Sequence, residues 1–399
     1  MQLVEQHIMS KNDPRYEVID RAAFASKNLY NAANYLVRQA FIFQGTYLGY
    51  AEVFHLIKGH DAYQALPRKV SNDVLRLLDK NWKSFFKAIK AWKAHPEQFL
   101  GRPKLPGYKD KTAGRNILIY DIQALSKTSL KKGVIAPSQL GITVQTQQQN
   151  VKQVRIVPKS THYVIEVVYE HEPEQARVDA SLVAGIDLGL DNLATLTSTK
   201  PGFVPCLING KPLKSINQGY NKRRAKLQSQ LKGRFTSKQL ERITDKRNRR
   251  IKHLLHSASK RIIALLVQEG IGTLVIGHNP EWKQEINIGK RNNQNFVNIP
   301  HARFIDMLTY KAKLVGIQVI VTEESYTSKC SFLDNEPIGK HERYMGKRVK
   351  RGLFRSSDGH SYHADVNGSY NIIRKVVPDA FGKGIGGAAV HPCRLAIAV

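Results

Sequence analysis

Three short segments place carboxylates where they could do chemistry: VAGIDLG around Asp187, VTEESYTSKCS around Glu324 and HADVNGSYNI around Asp365. Each acid stands at the end of a candidate strand or the start of a candidate helix, and all three lie in the second half of the chain. Acidic residues are scarce, 32 Asp and Glu against 62 Lys and Arg. A carboxylate fixed at a strand end in so basic a protein is a candidate metal ligand. Three brought together would hold divalent cations against a phosphate backbone, the chemistry of a nuclease. Taken singly, each acid has a plainer reading. Asp187 could be a turn residue, Asp365 a helix N-cap, and Glu323 with Glu324 the polar end of an exposed strand.

The elements that must position these acids follow from periodicity. Alternation over residues 183–187 aims Gly185 and Asp187 at one face, and Gly189 lets the chain turn away. NLATLTS reads as the partner strand, and VNGSYNIIRKV as a helix opened by Asp365. Between them lie two basic helical stretches, NKRRAKLQSQLKGRF and DKRNRRIKHLLHSASKRIIALLVQEG. The second carries a buried stripe of Ile251, Leu254, Leu255, Ala258, Ile262, Leu265 and Leu266. TLVIG and IQVIV read as buried strands flanking the helix ARFIDMLTYKAKLVG. This is an α/β pattern.

The first half differs. Leu29, Ala33, Leu36, Val37, Ala40 and Phe41 recur at helical spacing, as do Val74, Leu78, Trp82, Phe85, Phe86 and Ile89, with Ser71, Asn72 and Asp73 offered as an N-cap. The aromatic stripe reads as core rather than as a base-stacking platform. FLGRPKLPGYKDKTAGR ends the helical block. ITVQTQ, VKQVRIVP and THYVIEVVYE then alternate as strands, and HEPEQARVDA reads as a linker.

A net charge of +30 over 399 residues points to a polyanionic partner, above all nucleic acid. A ribosomal-type binder would share that charge. The length allows two or three domains. The longest apolar runs are too short to span a bilayer, and the first residues carry no signal-peptide core, so no membrane partner is expected. Cys206, Cys330 and Cys393 are widely separated, which implies no disulfide framework and fits a reducing cytoplasm.

A strand–Asp–Leu–Gly hairpin early in an α/β domain, with an Asp at the start of its last helix, has the layout of the RNase H/RuvC nuclease fold. The match becomes specific in GIDLGLDNLATLT, HLLHSASKRI, LTYKAKLVG, YTSKCS and ADVNGSYNI. In the first half KNLYNAANYLVRQ, LPRKVSNDVLRLLDKNWKSFFKA and LGRPKLPGYK add to it. In these motifs the chain resembles the TnpB family, transposon-encoded RNA-guided nucleases related to the compact type V CRISPR effectors. The resemblance implies a multi-domain chain. A wedge-like β-barrel would be formed by residues 1–14 and 116–178, interrupted by a helical recognition lobe at 15–115. A RuvC-like domain would follow at 179–377, and then a Gly-rich tail at 378–399 expected to lack order. It also implies a transposon-derived guide RNA, a double-stranded DNA target read beside a short flanking motif, and Mg²⁺ or Mn²⁺ as the metal.

Two departures from the family matter. The second acid of the family usually follows a hydrophobic pair at the end of a strand; here that segment reads TLVIGHN and Gly277 takes the place. Glu324, directly before YTSK, is the natural replacement by its spacing to Tyr326, since some branches of the superfamily carry a relocated glutamate there. Alternation sends Glu323 to the opposite face. Glu281 and Glu285 are weaker candidates. The expected ligand set is therefore Asp187, Glu324 and Asp365. The family's four-cysteine zinc finger is also missing, replaced by a basic insertion at 330–360 with Cys330 alone. A site of Cys330, His341, His360 and His363 is conceivable, but zinc is not expected, and GKRVKRG reads as a nucleic-acid contact.

The leading reading is an RNA-guided DNA endonuclease. The runner-up is a guided, cleavage-inactive regulator, favoured only by Gly277. A self-sufficient transposase finds no supporting motif, and an unguided nuclease would cut without RNA. The flanking motif, guide length and oligomeric state are not written in the sequence.

Overall fold

A computed structural model of the chain describes residues 1–231, 235–279, 299–382 and 389–397. It divides into two compact units, Met1–His171 and Glu172–Val399. The boundary falls inside the linker rather than at 178/179. Strand β6 already ends at Glu170, and the Ala176 N–H bonds to the Val315 carbonyl of the second unit at 3.1 Å.

In the first unit β1 (Gln2–Ser10) pairs antiparallel with β6 (His162–Glu170) along its whole length, so the strand that opens the unit joins the one that closes it. Between them come α1 (Tyr16–Gln44), α2 (Tyr50–Ile57), α3 (Asp61–Gln64) and α4 (Arg68–Ala94). β2 (Leu118–Asp121), α5 (Lys127–Lys131), β3 (Val134–Ile135), β4 (Val144–Gln145) and β5 (Val151–Pro158) follow. The sheet order is β1-β6-β5-β2, with β3 and β4 a separate pair. Helix α1 ends where Gly45 turns left-handed at φ 65° and donates to the Ala40 carbonyl. Its face packs Leu29, Ala33 and Val37 against Val74, Leu78 and Trp82 of α4 in one core. The N-cap expected at residues 71–73 is not one. Pro67, whose ring fixes φ, sets the start of α4 four residues earlier, and the buried Ser71 hydroxyl donates instead to the Tyr63 carbonyl at 2.7 Å.

The second unit is built on a sheet of order β11-β10-β7-β8-β9-β15. β7 (Asp179–Leu188), β8 (Asn192–Ser198) and β9 (Cys206–Asn209) form an antiparallel meander. β10 (Ile271–Gly277) and β11 (Gln318–Thr322) extend it in parallel beyond β7. Helices α6 (Lys211–Ser229) and α7 (Lys238–Gln268) connect β9 to β10, and α8 (His301–Leu314) precedes β11. A small antiparallel sheet, β12 (Lys347–Lys350), β13 (Leu353–Arg355) and β14 (Ser361–His363), leads into α9 (Ala364–Val376).

Two faces of the large sheet carry separate cores. Ala184, Ile186 and Ile276 pack with Leu255, Ile262 and Phe304 of α7 and α8. Val183 and Val275 pack with Val366, Tyr370 and Ile373 of α9. The stripe foreseen on α7 is buried except at Leu265, which is only partly covered. β11 was read as a buried strand but is the sheet's outer edge, with Val321 half-exposed. The tail expected to lack order supplies β15 (Cys393–Arg394), parallel to β9, with Leu395 and Ile397 packed on the core; apolar side chains and a free sheet edge give it a place. No helix among the described residues is long and apolar enough to cross a membrane.

Candidate functional site

Asp187 lies at the C-terminal end of β7, directly opposite Thr195 of β8. As alternation predicts, Gly185 faces α9, where an added Cβ would lie 2.5 Å from the Ser369 carbonyl oxygen. Asp187 faces the same helix one step on. A Cβ at Gly368 would sit 3.0 Å from its Oδ2, so glycine lets the α9 backbone close over the carboxylate. The helix is pinned there by the buried Ser369 hydroxyl, which donates toward the Gly185 and Thr195 carbonyls at 2.9 and 3.1 Å.

Asp365 sits in the first turn of α9 but does not cap it. The cap is His363, whose Nδ1 accepts the Asp365 N–H at 3.2 Å. The Asp365 carboxylate is thereby left for other partners. Asn192 Nδ2 donates to it at 2.9 Å and Arg348 approaches at 3.5 Å.

Glu324 reaches the same region from the neighbouring strand. Gly277 pairs with Thr322 in the β10–β11 register, so two residues on, Glu324 faces the same way as Gly277. A Cβ at Gly277 would lie 2.8 Å from Glu324 Oε2 and 2.5 Å from Ile372 Cδ1. The Glu324 carboxylate thus fills the space into which a side chain at 277 would project. Asn279, two residues past the end of β10, holds it, accepting the Glu324 N–H at 3.0 Å and donating toward Oε1 at 3.5 Å. The turn that follows passes through Tyr326 at φ 68°, an uncommon conformation for a non-glycine residue. Asn371 fixes that turn by donating to the Thr327 and Cys330 carbonyls at 2.9 and 2.8 Å, and Asn367 bonds Cys330 at 2.9 Å. Glu323 turns away and pairs with Lys375.

Electrostatics link the three acids through Asp187. Burial, then Asp365 and Glu324, hold its carboxyl well above the usual carboxylate range, while Arg348 pulls the other way. Glu324 is pushed up to about 7 by burial and by Glu323, with Lys375 opposing. Like charges enclosed in this way call for a cation. The oxygen-only donor set suits Mg²⁺ or Mn²⁺. Among the described residues no group of three or more Asp, Glu, His or Cys side chains is arranged to hold one metal ion.

The other sequence candidates are scattered. Glu281 and Glu285 lie outside the described residues. Cys330 is fully buried, its thiol directed at the Gly339 carbonyl at 3.6 Å. His341 bonds the Pro337 carbonyl at 2.7 Å, His360 pairs with Asp358 at 2.6 Å, and His363 caps α9. In the finger's place the buried Glu336 carboxylate ties the Ser331 and Met345 N–H groups together at 2.7 and 2.9 Å. Sequence reasoning missed Asn192, Gly368 and Arg348 as parts of the site. GKRVKRG reads in the sequence as a nucleic-acid contact; within the chain Arg348 turns to Asp365 and Arg351 to Asp191 at 2.6 Å.

Residues 166–283 match the OrfB_IS605 family, described as "Probable transposase". Residues 301–372 match the Cas12f1-like TNB domain. The chain is 24% identical over 401 residues to TnpB-like protein ORF457 of Acidianus two-tailed virus, covering 90% of this chain and 83% of that protein. It is 24% identical over 228 residues to the CRISPR-associated endodeoxyribonuclease Cas12f1 of Sulfoacidibacillus thermotolerans, covering 54% of this chain and 50% of that one. Its fold is similar to that in the cryo-EM structure of a Cas12f1–sgRNA–target DNA complex, with a TM-score of 0.55 at 15% identity, across 89% of this chain and 82% of the other. The resemblance carried by the motifs is borne out as similarity: the chain matches the OrfB_IS605 and Cas12f1-like TNB models in its second half and is similar to a TnpB-like protein and to Cas12f1.

Proposed function

We propose that this protein is an RNA-guided DNA endonuclease in which Asp187, Glu324 and Asp365 are the catalytic carboxylates of a RuvC-like site. The observation that carries the reading is the exchange at the end of β10. Gly277 has no acid to offer, and the Glu324 carboxylate occupies the space beside it, held by Asn279. That placement is what a relocated second acid requires, whereas its neighbour Glu323 turns away to Lys375.

Bound Mg²⁺ or Mn²⁺ would supply an activated water and stabilise the leaving oxygen of a phosphodiester. Asp187 would be the ligand shared with Glu324 and Asp365. Asn279 orients Glu324; Asn192 orients Asp365. Arg348 lies on the solvent side of Asp365 and is half-exposed, free to exchange its carboxylate partner for a phosphate. The basic helices α6 and α7 would hold the nucleic-acid backbone.

In this reading the first unit is the wedge-like β-barrel with its helical recognition lobe, and the guide is an RNA from the transposon's own end. Base pairing selects the target and the protein reads a short flanking motif in the duplex. The relatives' names support the guided nuclease; the metal, the two-metal route and the flanking motif are our inference.

Protein purified with its RNA should cut a plasmid carrying a matching target in Mg²⁺. Asp187→Ala should abolish cutting and keep RNA binding. The alternative, a guided but cleavage-inactive binder, predicts target binding without nicking in either Mg²⁺ or Mn²⁺.

A further inference from the structure

Two of the three cysteines take no part in the acid site. Cys206 opens β9 and Cys393 opens β15, and they face each other as direct partners in the register of adjacent parallel strands. Their sulfurs are 3.4 Å apart. Directly opposed residues on neighbouring strands have Cα atoms about 4.8 Å apart, inside the ~4.4–6.8 Å that a disulfide spans.

The meeting is built by the backbone. The Cys393 N–H donates to the Pro205 carbonyl at 2.8 Å and the Leu395 N–H to that of Leu207 at 3.0 Å. Upstream, the Tyr370 hydroxyl of α9 donates to the Ala389 carbonyl at 2.8 Å. Cys393 is exposed, whereas Cys206 is buried. Burial first, and then the bond to Cys393, push Cys206 up to about 12, so Cys393 is the thiol that meets an outside oxidant. Cys330 is fully buried elsewhere and serves as an internal control.

We infer that Cys206 and Cys393 are a thiol–disulfide site, oxidised by a low-molecular-weight disulfide, which latches the C-terminal strand β15 covalently onto β9. The Cys393 thiolate attacks one sulfur of the small disulfide and expels one thiolate, leaving a mixed disulfide on Cys393. Cys206 sulfur then attacks the Cys393 sulfur, its proton passing to the second departing thiolate. Two protein thiols are oxidised and one small disulfide is reduced to two thiols. The bond closes a loop from residue 206 to 393, which constrains the unfolded chain. In the reduced protein β15 is held by hydrogen bonds and by the packing of Leu395 and Ile397.

The test uses the full chain, reduced and then equilibrated with glutathione disulfide. Intact mass should fall by two hydrogens with no glutathione retained, and peptide mapping should join Cys206 to Cys393 while Cys330 stays unmodified. Oxidation should raise the melting temperature of the parent, reversibly with dithiothreitol, and leave Cys393→Ser unchanged. Because Cys393 is exposed, that variant keeps the fold even if Cys206→Ser does not. Thiols that stay reduced, a glutathione adduct that persists on Cys393, or a bridge that includes Cys330 would each overturn the proposal.

Discussion

Replacing Glu324 by Gln tests the site without using its activity. The Glu324 carboxyl is pushed from 4.5 up to about 7, chiefly by burial. Below pH 4.5 the group is protonated in both folded and unfolded chains and makes no difference. Between 4.5 and about 7 the unfolded chain releases the proton while the metal-free folded chain keeps it. Stability therefore falls as pH rises, by about 1.4 kcal/mol per pH unit, and the loss is complete above 7. At pH 8 the ionised carboxylate costs on the order of 3 kcal/mol. Gln cannot ionise, so in EDTA at pH 8 the variant should melt above the parent, by roughly 6–12 °C for a unit of this size. At pH 4.5 the two should melt together. Mg²⁺ should raise the parent's melting temperature at pH 8 by more than the variant's, because the Glu324 share of the penalty it would relieve is gone. Melting followed by circular dichroism, across pH, with EDTA and with Mg²⁺, reads all four states. A variant less stable than the parent in EDTA at pH 8 would refute the claim that Glu324 is an enclosed, charge-coupled acid.

Three further outcomes follow from the packing around α9. Gly277→Glu drives a side chain into Ile372 and Glu324 and should cost ~1–3 kcal/mol by overpacking. Adding Glu324→Ala removes one of the two obstructions, so denaturant titration should find the double variant more stable than the sum of the single changes predicts. Gly368→Ala sets a methyl 3.0 Å from Asp187 Oδ2. Lifting α9 off the acid should slow cleavage by about 100-fold, the scale of a 1 Å misplacement, with the circular dichroism spectrum unchanged. Asn371→Ala takes one donor from each of the Thr327 and Cys330 carbonyls, which Asn367 still reaches, and should cost about 1 kcal/mol in a urea titration.

How much of this was legible in the sequence depends on the range of each contact. Asp187 and Asp365 could be found because the elements that position them are local: a strand ending in Asp-Leu-Gly, and the first turn of a helix. Glu324 could be chosen by its spacing to Tyr326. What sets it beside Gly277 is the pairing of Gly277 with Thr322, a parallel register that no local pattern encodes. Asn192 and Gly368 act across the fold on acids far along the chain, so nothing near them in sequence marks their role. The apolar run IQVIV suggested a buried strand, but an edge strand of an otherwise buried sheet has the same composition. Ser71 looked like a cap because Ser, Asn and Asp cluster there, and Pro67 overrode it. The tail's small, Gly-rich composition hid a two-residue strand whose partner lies far away at Cys206.

The central claim, that a relocated glutamate completes a guided nuclease, is tested most directly by single-turnover cleavage of a target-bearing plasmid. Parent, Asp187→Ala and Glu324→Ala would each be purified with the same guide RNA and compared in Mg²⁺. The account predicts linear product from the parent and intact plasmid from both variants, with RNA retained by all three. Cutting by Glu324→Ala at the parental rate would contradict it.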